Sequence, residues 1–307
     1  MRGVHDLGGL PGEPIDRREH ELSRWEKAAD ATLRCVMACG VRVDEFRHAI
    51  EELPADTYLA LSYYERWIAS LYRVGLRRGM LTAEEVAARV AAIAHERRAH
   101  GVEEGHPHEG HDHDHHDDDD EDGEYPILGD ALREILIAKG FFSAAEHRAV
   151  LERMDSITPA TGAVVVERAW QDPAFRLALL RNGTEACAAM GIEMPASARL
   201  VVVENTPAEH NVVVCTLCSC YPIFLLGRPP DWYKSTAYRS RVVREPRAVL
   251  EEFGTVISPS RTIRVHDSTA DMRYLVLPMR PDGTQGWTEA RLRSLVTRDT
   301  MIGVAEC

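Results

Sequence analysis

The sequence predicts an α+β protein in three parts: a helical N-terminal unit over residues 1–99, a disordered linker rich in histidine and acidic residues over 100–124, and an α+β domain over 125–307. Apolar side chains recur at helical spacing through the first part. That periodicity disappears in the linker, whose composition cannot bury enough apolar surface to fold. In the third part, short β-type runs follow helical segments, and three cysteines come directly after one of these runs.

The N-terminal part is predicted to consist of an extended arm and a set of helices. Residues 1–18 are rich in glycine and proline, which favour turns and extended chain. Apolar spacing and capping residues then predict four helices, which start at Ser23, Asp44, Asp56 and Thr82. The third of these helices is predicted to continue unbroken as far as Leu71.

Residues 100–124 have the composition of a linker. They contain seven of the fourteen histidines, and twelve acidic side chains lie between Glu103 and Glu124 without a lysine or an arginine. A charged stretch of this kind is usually a solvated spacer. Imidazoles and carboxylates also bind cobalt, nickel and zinc, so a weak metal reservoir is a second interpretation, and both can hold.

The third part is predicted to begin with helices and to continue with short strands. The helical segments are 127–139, 144–154 and 173–180. The strand candidates are 200–203, 212–214, 262–265 and 274–277. The cysteine cluster therefore lies in a loop directly after the second candidate strand.

Composition excludes several classes of function. The net charge is −13, but the linker carries twelve negative charges, so the folded parts are close to neutral and lack the basic footprint of a nucleic-acid-binding protein. No apolar run reaches the roughly 18 residues that span a membrane, and the first residues do not form a signal peptide. We therefore expect a cytoplasmic protein without nucleic-acid or membrane partners, whose cysteines do not form a disulfide scaffold.

Cys215, Cys218 and Cys220 form a C-x-x-C-x-C motif. This spacing turns three sulfurs toward one point, and thiolates bind soft or borderline metals. A structural zinc site usually takes a fourth ligand from a second paired motif, and an iron–sulfur cluster has the same requirement. The other cysteines are scattered and form no such pair: Cys35, Cys39, Cys187 and Cys307. Two interpretations stay open here, a metal site completed by deprotonated backbone amides and a chance cluster of buried cysteines.

Segment 215–220, Cys-Thr-Leu-Cys-Ser-Cys, resembles the metal-binding motif of the nitrile hydratase α subunit, which thiocyanate hydrolase shares. The resemblance runs from about Tyr125 to the C terminus and includes 169–170, 183–187, 202–206, 230–234, 238–247, 267–268 and 297–299. The N-terminal part is similar to the helical half of the nitrile hydratase β subunit, at 3–9, 25–26, 44–47 and 63–67. The chain is therefore interpreted as a fusion of the two subunit types.

The resemblance also implies partners. The β-like part stops near residue 100, and the barrel-like second half of that subunit is absent. Thiocyanate hydrolase keeps that half as a separate chain. The resemblance therefore implies a separate partner subunit that supplies the missing half, a homo- or hetero-oligomeric assembly, and a small-molecule nitrile as the substrate.

The family resemblance implies a low-spin Co(III) or Fe(III) ion held by three cysteine sulfurs and two backbone amide nitrogens. Carried over to this sequence, Cys215 is the axial thiolate, Cys218 the sulfinate and Cys220 the sulfenate, and the amides of Ser219 and Cys220 complete the ligand set. Thr216 stands where iron-containing members usually carry serine, so the resemblance favours Co(III) over Fe(III). Metal-bound thiolates oxidise readily, which agrees with such a modified centre.

The resemblance assigns further residues to the reaction. Arg47 matches one of the two β-subunit arginines that bind the oxidised sulfurs, although a helix-surface arginine is the ordinary interpretation without the family. The residues implied to be catalytic are Cys220, Arg47, Tyr63 and Ser219. The residues implied to line the substrate pocket are Tyr64, Trp67, Tyr221 and Ile223, of which the two in the N-terminal part would otherwise be core aromatics. The residues implied to support the ligands are Asp267, Asp271 and Arg273. Of these, Asp271 stands where glutamate is usual.

The implied reaction is hydration of a nitrile to its amide, in which the metal acts as a Lewis acid on the nitrile nitrogen. Either water or the Cys220 sulfenate oxygen is the nucleophile. Ile223 stands where nitrile hydratases usually carry tryptophan and thiocyanate hydrolase carries arginine, so an apolar residue favours a nitrile over the thiocyanate anion. The alternatives are thiocyanate hydrolysis, a cobalt-carrying metallochaperone-like assembly, and a structural zinc site, which lacks a fourth ligand.

Overall fold

The structure is a computed structural model that describes residues 5–103, 123–195 and 198–307. The chain divides into two compact units, which are described one at a time. A helical unit is formed by Glu21–Arg153, and a second, mixed unit is formed by the described part of Met1–His20 together with Met154–Cys307. Among the described residues, no helix is both long enough and apolar enough to cross a bilayer.

The helical unit contains the helices that the apolar spacing predicts, except that two helices replace the third predicted one. They are α1 (Arg24–Ala38), α2 (Val43–Glu51), α3 (Ala55–Ala60), α4 (Tyr63–Arg77), α5 (Ala83–Glu103), α6 (Glu124–Ala138) and α7 (Ala144–Ser156). The predicted capping box before α5 is confirmed, because the Thr82 N–H donates to Glu85 Oε1 over 2.7 Å and the Glu85 N–H donates to Thr82 Oγ1 over 3.2 Å.

The prediction of one unbroken helix from Asp56 to Leu71 is wrong, because the chain forms α3 and α4 instead. Leu61 has an extended backbone (φ −78°, ψ 141°), which ends α3. Ser62 then caps α4, and its N–H donates to Glu65 Oε2 over 2.6 Å. Serine followed three residues later by glutamate is a helix-start signal, and it outweighs the apolar spacing that continues across it.

Helix α6 follows the linker in sequence and packs among the helices that precede the linker. Its Leu132 and Leu136 are fully buried with Phe46 and Leu71 in one apolar core. At its surface, Arg97 and Asp130 form an ion pair of 2.5 Å. Of the stretch predicted to be disordered, 104–122 lies outside the described residues, whereas α5 continues to Glu103 and α6 begins at Glu124.

The mixed unit contains short helices around four strands. Its helices are α8 (Pro159–Gln171), α9 (Pro173–Arg181), α10 (Gly183–Ala188), α11 (Ile223–Leu226), α12 (Asp231–Lys234), α13 (Thr236–Arg244), α14 (Pro246–Glu252), α15 (Glu289–Arg293) and α16 (Arg298–Ile302). Its strands are β1 (Arg199–Glu204), β2 (Glu209–Val214), β3 (Thr262–Asp267) and β4 (Met272–Leu277). The predicted strands and the α+β class are confirmed. The sequence patterns did not indicate α8, α10 or the helices that follow the cysteine cluster.

The four strands pair in parallel, β1 with β4 and β2 with β3. Parallel neighbours need long connections, and here the helices of the unit provide them. Val214, at the end of β2, lies opposite Asp267, at the end of β3, and the Ser268 N–H donates to the Val214 carbonyl over 2.7 Å. The pairing therefore brings the residues after β2 beside the end of β3.

Between His5 and His20 the chain forms an arm without helix or strand, which packs on α13 and α14 within the mixed unit. The Gly9 N–H donates to the Ser240 carbonyl over 2.8 Å. Further along, the Ile15 N–H donates to Glu252 Oε2 over 2.9 Å, and the Ile15 side chain joins the apolar core of this unit. The predicted extended arm is therefore a part of the mixed unit.

Candidate metal centre

The cysteine loop, residues 215–220, connects strand β2 to the short helix α11. Every residue of β2 from His210 onward is buried, so the strand delivers Cys215 into the interior, where it is 0% exposed. Cys218 is half-buried, and Cys220 is 7% exposed. Cys215 and Cys220 are therefore buried, and Cys218 is the most exposed of the three.

The structure brings the three sulfurs together. The Cys218 Sγ lies 3.3 Å from both the Cys215 Sγ and the Cys220 Sγ. All three sulfurs lie within 4.8 Å of one another, and among the described residues no histidine, aspartate, glutamate or further cysteine completes the group. The Cys218 N–H donates to the Cys215 Sγ over 3.3 Å, and the Cys220 N–H makes a second hydrogen bond to that sulfur.

These separations fit a metal whose ligands lie at right angles. With metal–sulfur bonds of about 2.3 Å, sulfurs on adjacent corners of a square lie about 3.3 Å apart, whereas sulfurs around a tetrahedral ion lie about 3.8 Å apart. The backbone N–H groups of Cys218 and Cys220 also point to the Cys215 sulfur. The donor set therefore suits a metal with sulfur and amide ligands better than a tetrahedral zinc ion.

The two buried cysteines of the cluster, Cys215 and Cys220, resist deprotonation. A hydrogen bond with Cys218, followed by burial, raises the pKa of the Cys215 thiol to about 12. Hydrogen bonds with the two other cysteines, followed by burial, raise the pKa of Cys220 well above its usual value. A metal bound here must therefore displace these protons, as is general for thiolate sites.

Asp267 holds the first turn of the cysteine loop. The Thr216 N–H donates to Asp267 Oδ1 over 3.0 Å, and the Thr216 hydroxyl donates to Asp267 Oδ2 over 2.5 Å. The parallel pairing of β2 with β3 places the two residues side by side. A carboxylate that accepts two hydrogen bonds from one residue sets both its backbone and its side-chain orientation.

Three residues from the helices after the loop hold the backbone around the cluster. The Tyr233 hydroxyl donates to the Cys220 carbonyl over 2.8 Å, and the Tyr238 hydroxyl donates to the Val213 carbonyl over 2.7 Å. Arg239 donates to the Thr216 carbonyl over 3.0 Å. The sequence reasoning assigned no role to these residues. Their segments carried the family resemblance, but no local pattern indicates which backbone atom a distant side chain reaches.

The remaining predicted residues of the mixed unit fall into two groups, one within or just after the cysteine loop and one at the turn between β3 and β4. Ser219 is 9% exposed within the loop, Tyr221 is 3% exposed, and its ring meets that of Tyr233 edge-on at 5.1 Å. Ile223 is the half-buried first residue of α11. Two predicted ligand-supporting residues contact the β3–β4 turn instead of the loop: the Asp271 carboxylate accepts from the Thr269 hydroxyl over 3.0 Å, and Arg273 donates to the Thr269 carbonyl.

Four predicted residues belong to the helical unit. Arg47, on α2, has a side chain that is 12% exposed and lies 3.5 Å from Asp44 in an ion pair. Tyr63, Tyr64 and Trp67 lie on α4, where the ring of Tyr63 meets those of the other two edge-on at 5.0 and 6.2 Å. Within this unit the three aromatics pack against the apolar core.

Two family models match the chain. Residues 124–305 match the model of the nitrile hydratase α chain, and residues 1–119 match the model of the N-terminal part of the nitrile hydratase β subunit. The first match covers more than half of the chain. The order of the two matches confirms a fusion of a β-type segment to an α-type segment.

Individual relatives give the same division. The low-molecular-weight cobalt-containing nitrile hydratase α subunit of Rhodococcus rhodochrous is 50% identical over 177 residues, which are 57% of this chain and 85% of that subunit. The thiocyanate hydrolase γ subunit of Thiobacillus thioparus is 44% identical over 196 residues, 60% of this chain and 81% of that subunit. The nitrile hydratase β subunit of Pseudomonas putida is 36% identical over 102 residues, 30% of this chain and 45% of that subunit.

Two solved structures, one of a thiocyanate hydrolase and one of a nitrile hydratase, share the fold over about three fifths of this chain. A recombinant thiocyanate hydrolase with partially modified cobalt centres superposes with a TM-score of 0.57 at 43% identity and covers 60% of this chain and 89% of that one. A double mutant of the Fe-type nitrile hydratase from Comamonas testosteroni Ni1 superposes with a TM-score of 0.55 at 43% identity over 58% of this chain and 87% of that one. With its cysteine loop, its fold and both family matches, the chain belongs to the nitrile hydratase family of hydro-lyases, as a fusion of a β-type N-terminal segment to an α chain.

Proposed function

We propose that this protein hydrates a nitrile to the corresponding amide at a cobalt(III) centre in the cysteine loop. The observation that carries the proposal is the cluster of three sulfurs, in which two pairs lie 3.3 Å apart, the separation expected for adjacent ligands at right angles, and the Cys218 and Cys220 N–H groups point to the Cys215 sulfur. The α-subunit relative from Rhodococcus rhodochrous is described as cobalt-containing, as is a second relative from Pseudonocardia thermophila, which supports cobalt over iron.

Cys215, Cys218 and Cys220 would hold the ion together with the backbone amides of Ser219 and Cys220. Bound there, cobalt supplies a Lewis acid that polarises the nitrile. Addition of one water to the C≡N bond, with transfer of one water proton to nitrogen and tautomerisation, gives the amide without any other reactant. We propose Cys220 as the catalytic cysteine, either as a sulfenate whose oxygen attacks the nitrile carbon or as the acceptor that orients the attacking water.

The burial of the cysteines supports the proposed oxidation pattern, in which Cys218 becomes a sulfinate, Cys220 a sulfenate, and Cys215 stays a thiolate. Adding two oxygen atoms to Cys218 and one to Cys220 requires an external oxidant, dioxygen or a peroxide, that supplies the oxygen and accepts the electrons, and this oxidant must reach the sulfur. Cys218 is half-buried, and Cys220 retains 7% exposure, whereas Cys215 is 0% exposed. Oxygens added to the sulfurs of Cys218 and Cys220 would supply hydrogen-bond acceptors beside the metal.

The test is the mass of the peptide containing residues 215–220, together with amide formation, for full-length protein expressed with cobalt. We expect a gain of three oxygen atoms on that peptide, two for the sulfinate and one for the sulfenate. Cys220→Ala should abolish amide formation without changing the circular dichroism spectrum, and Cys307→Ala, an exposed cysteine outside the cluster, should behave as wild type. Amide formation by the Cys220 variant would disprove the proposed centre.

We also propose that a separate chain supplies the part of the β subunit that this chain does not match. This is supported by the Pseudomonas putida and Rhodococcus β subunits, of which the chain covers 45% and 39%. Turnover should therefore require, or rise strongly with, a co-expressed partner chain. Full activity of the purified single chain would contradict the proposal.

Thiocyanate hydrolysis is the second candidate, because the Thiobacillus thioparus thiocyanate hydrolase subunit is 44% identical. Ile223 carries no charge to bind an anion, which favours the nitrile. Parallel assays with nitriles and thiocyanate decide between the two reactions, and cobalt retention without turnover of either would indicate a cobalt carrier.

A further inference from the structure

Arg239 lies beneath the cysteine loop and joins it to the N-terminal arm. It is on α13, and its side chain is buried, with 3% exposure. One guanidinium nitrogen, Nη2, donates to the Thr216 carbonyl over 3.0 Å and to the His5 carbonyl over 3.2 Å. The Nε atom is buried and has no hydrogen-bond partner among the described residues.

Within the described part of the chain Arg239 forms no ion pair, because the neighbouring Asp267 carboxylate binds the Thr216 N–H and hydroxyl whereas the guanidinium binds the Thr216 carbonyl. Arg241, two residues later on the same helix and equally buried at 7%, differs in this respect. Its guanidinium pairs with Glu245 at 2.5 Å and with Glu252 at 2.6 Å, and it also donates to the Glu13 carbonyl of the arm over 3.0 Å.

A buried cation without a counter-charge is costly, so a folded protein normally supplies one. The two hydrogen bonds of Arg239 end on neutral carbonyl groups, which orient a guanidinium but do not balance its charge. One of these two hydrogen bonds ends on the cysteine loop, at the Thr216 carbonyl. In the proposed centre, three sulfur anions and two deprotonated amides outnumber the positive charges of a trivalent ion, so the loaded loop is a net anion.

We propose that Arg239 is the positioning residue of the metal centre: its charge balances the net negative charge of the loaded cysteine loop, and its hydrogen bond to the Thr216 carbonyl holds the loop in the metal-binding conformation. This inference rests on the proposed function. It assigns Arg239 a role that depends on the metal, whereas Arg241 fastens the arm to α13 and α14 whether or not metal is bound.

The test compares Arg239→Met, Arg239→Lys and the matched control Arg241→Met in the full-length chain, each expressed with and without added cobalt salt. Two quantities are measured: the cobalt content per chain at limiting cobalt, and the rise in Tm between metal-depleted and cobalt-loaded protein. Because only native protein binds the metal, that rise reports affinity for it. We expect Arg239→Met to lose most of the rise and to retain about a tenth of the wild-type cobalt, since a charge-assisted contact is lost.

Arg239→Lys keeps the charge, and we expect it to retain most of the rise in Tm. Arg241→Met should lower Tm in both forms equally and leave the rise at its wild-type value. An unchanged rise in Arg239→Met, or a loss of the rise in Arg241→Met as large as in Arg239→Met, would overturn the inference. Wild-type protein that takes up no cobalt would refute the proposed centre itself, and this inference with it.

Discussion

The contacts of single residues explain how three sulfurs can be held together in a loop that has no regular secondary structure. Asp267 holds Thr216 by two hydrogen bonds, and Tyr233 holds the Cys220 carbonyl. The cysteines supply the metal chemistry, but these neighbours hold the loop backbone from both ends. Preorganisation of this kind is what allows ligands to keep one geometry before and after a metal binds.

Asp267→Ala should therefore weaken the centre without unfolding the protein. It removes both acceptors of Thr216, whose N–H and hydroxyl lie in a buried residue, and we expect the free energy of unfolding to fall by about 1–2 kcal/mol. Cobalt content should fall with it. Chemical denaturation and elemental analysis measure the two effects.

Asp271→Ala is the control for that substitution, because Asp271 is an exposed aspartate of the β3–β4 turn whose carboxylate accepts from Thr269. It should change stability by about 0.5 kcal/mol or less and leave cobalt content unchanged. An equal loss of cobalt in both variants would show that the two hydrogen bonds to Thr216 do not hold the loop.

At the scale of elements, the cysteine loop depends on how β2 is packed. Helix α16 ends against β2 at Gly303, which has a positive φ of 89°. A Cβ at this position would lie 1.9 Å from the Asn211 carbonyl oxygen, closer than two non-bonded heavy atoms can approach. The close contact of helix end and strand keeps β2 in the position from which Cys215 enters the interior.

Gly303→Ala should for this reason be severely destabilising. It combines a left-handed backbone with a collision against β2, and we expect a loss of about 3 kcal/mol or more in the free energy of unfolding. Gly254→Ala is the matched control, since Gly254 has a φ of 83° but open space around its Cβ position. That variant should lose only about 1 kcal/mol. Thermal and chemical denaturation of both variants test the difference, and equal losses would mean that the packing of α16 on β2 contributes little.

At the scale of the whole molecule, each unit buries a histidine that the metal chemistry does not use. His147, in the helical unit, has its Nε2 beside the Thr32 hydroxyl at 3.1 Å and the Ala28 carbonyl at 3.2 Å. His210, in the mixed unit, is 0% exposed, and its Nε2 lies 2.8 Å from the Gly303 carbonyl. In both cases burial lowers the pKa of the histidine below its ordinary value of 6.5.

Both units should therefore lose stability in mild acid. The unfolded histidines take up protons near pH 6.5, whereas the native ones resist protonation, so stability is complete above that pH and falls as the pH drops toward the lower native values. Hydrogen exchange at pH 7.5 and 5.5, corrected for the intrinsic exchange rates, measures the stability of each unit separately. His147→Gln should reduce the acid effect in the helical unit, and the exposed His48→Gln should not. An acid effect of unchanged size in the His147 variant would assign it to other groups.

The sequence by itself determined the α+β class, the four strands, the cysteine loop after β2 and the family. The class, the strands and the loop follow from periodicity, capping residues and the spacing of Cys215, Cys218 and Cys220, which are local patterns whose members are neighbours in space. The family follows from the resemblance of whole segments to its two subunit types. The break between α3 and α4 also has a local signal, the helix-start pair Ser62 and Glu65. The apolar spacing that continues across this pair led to the wrong prediction of one helix.

Only the tertiary structure decided which residues support the loop. Arg239 contacts His5 across 234 positions of sequence, and Thr216 meets Asp267 across 51. It also decided that the N-terminal arm belongs to the mixed unit and that α6 belongs with the helices before the linker. The physical reason is that such contacts depend on strand pairing and on the burial of apolar faces. These bring together residues whose separation along the chain carries no signal of their proximity.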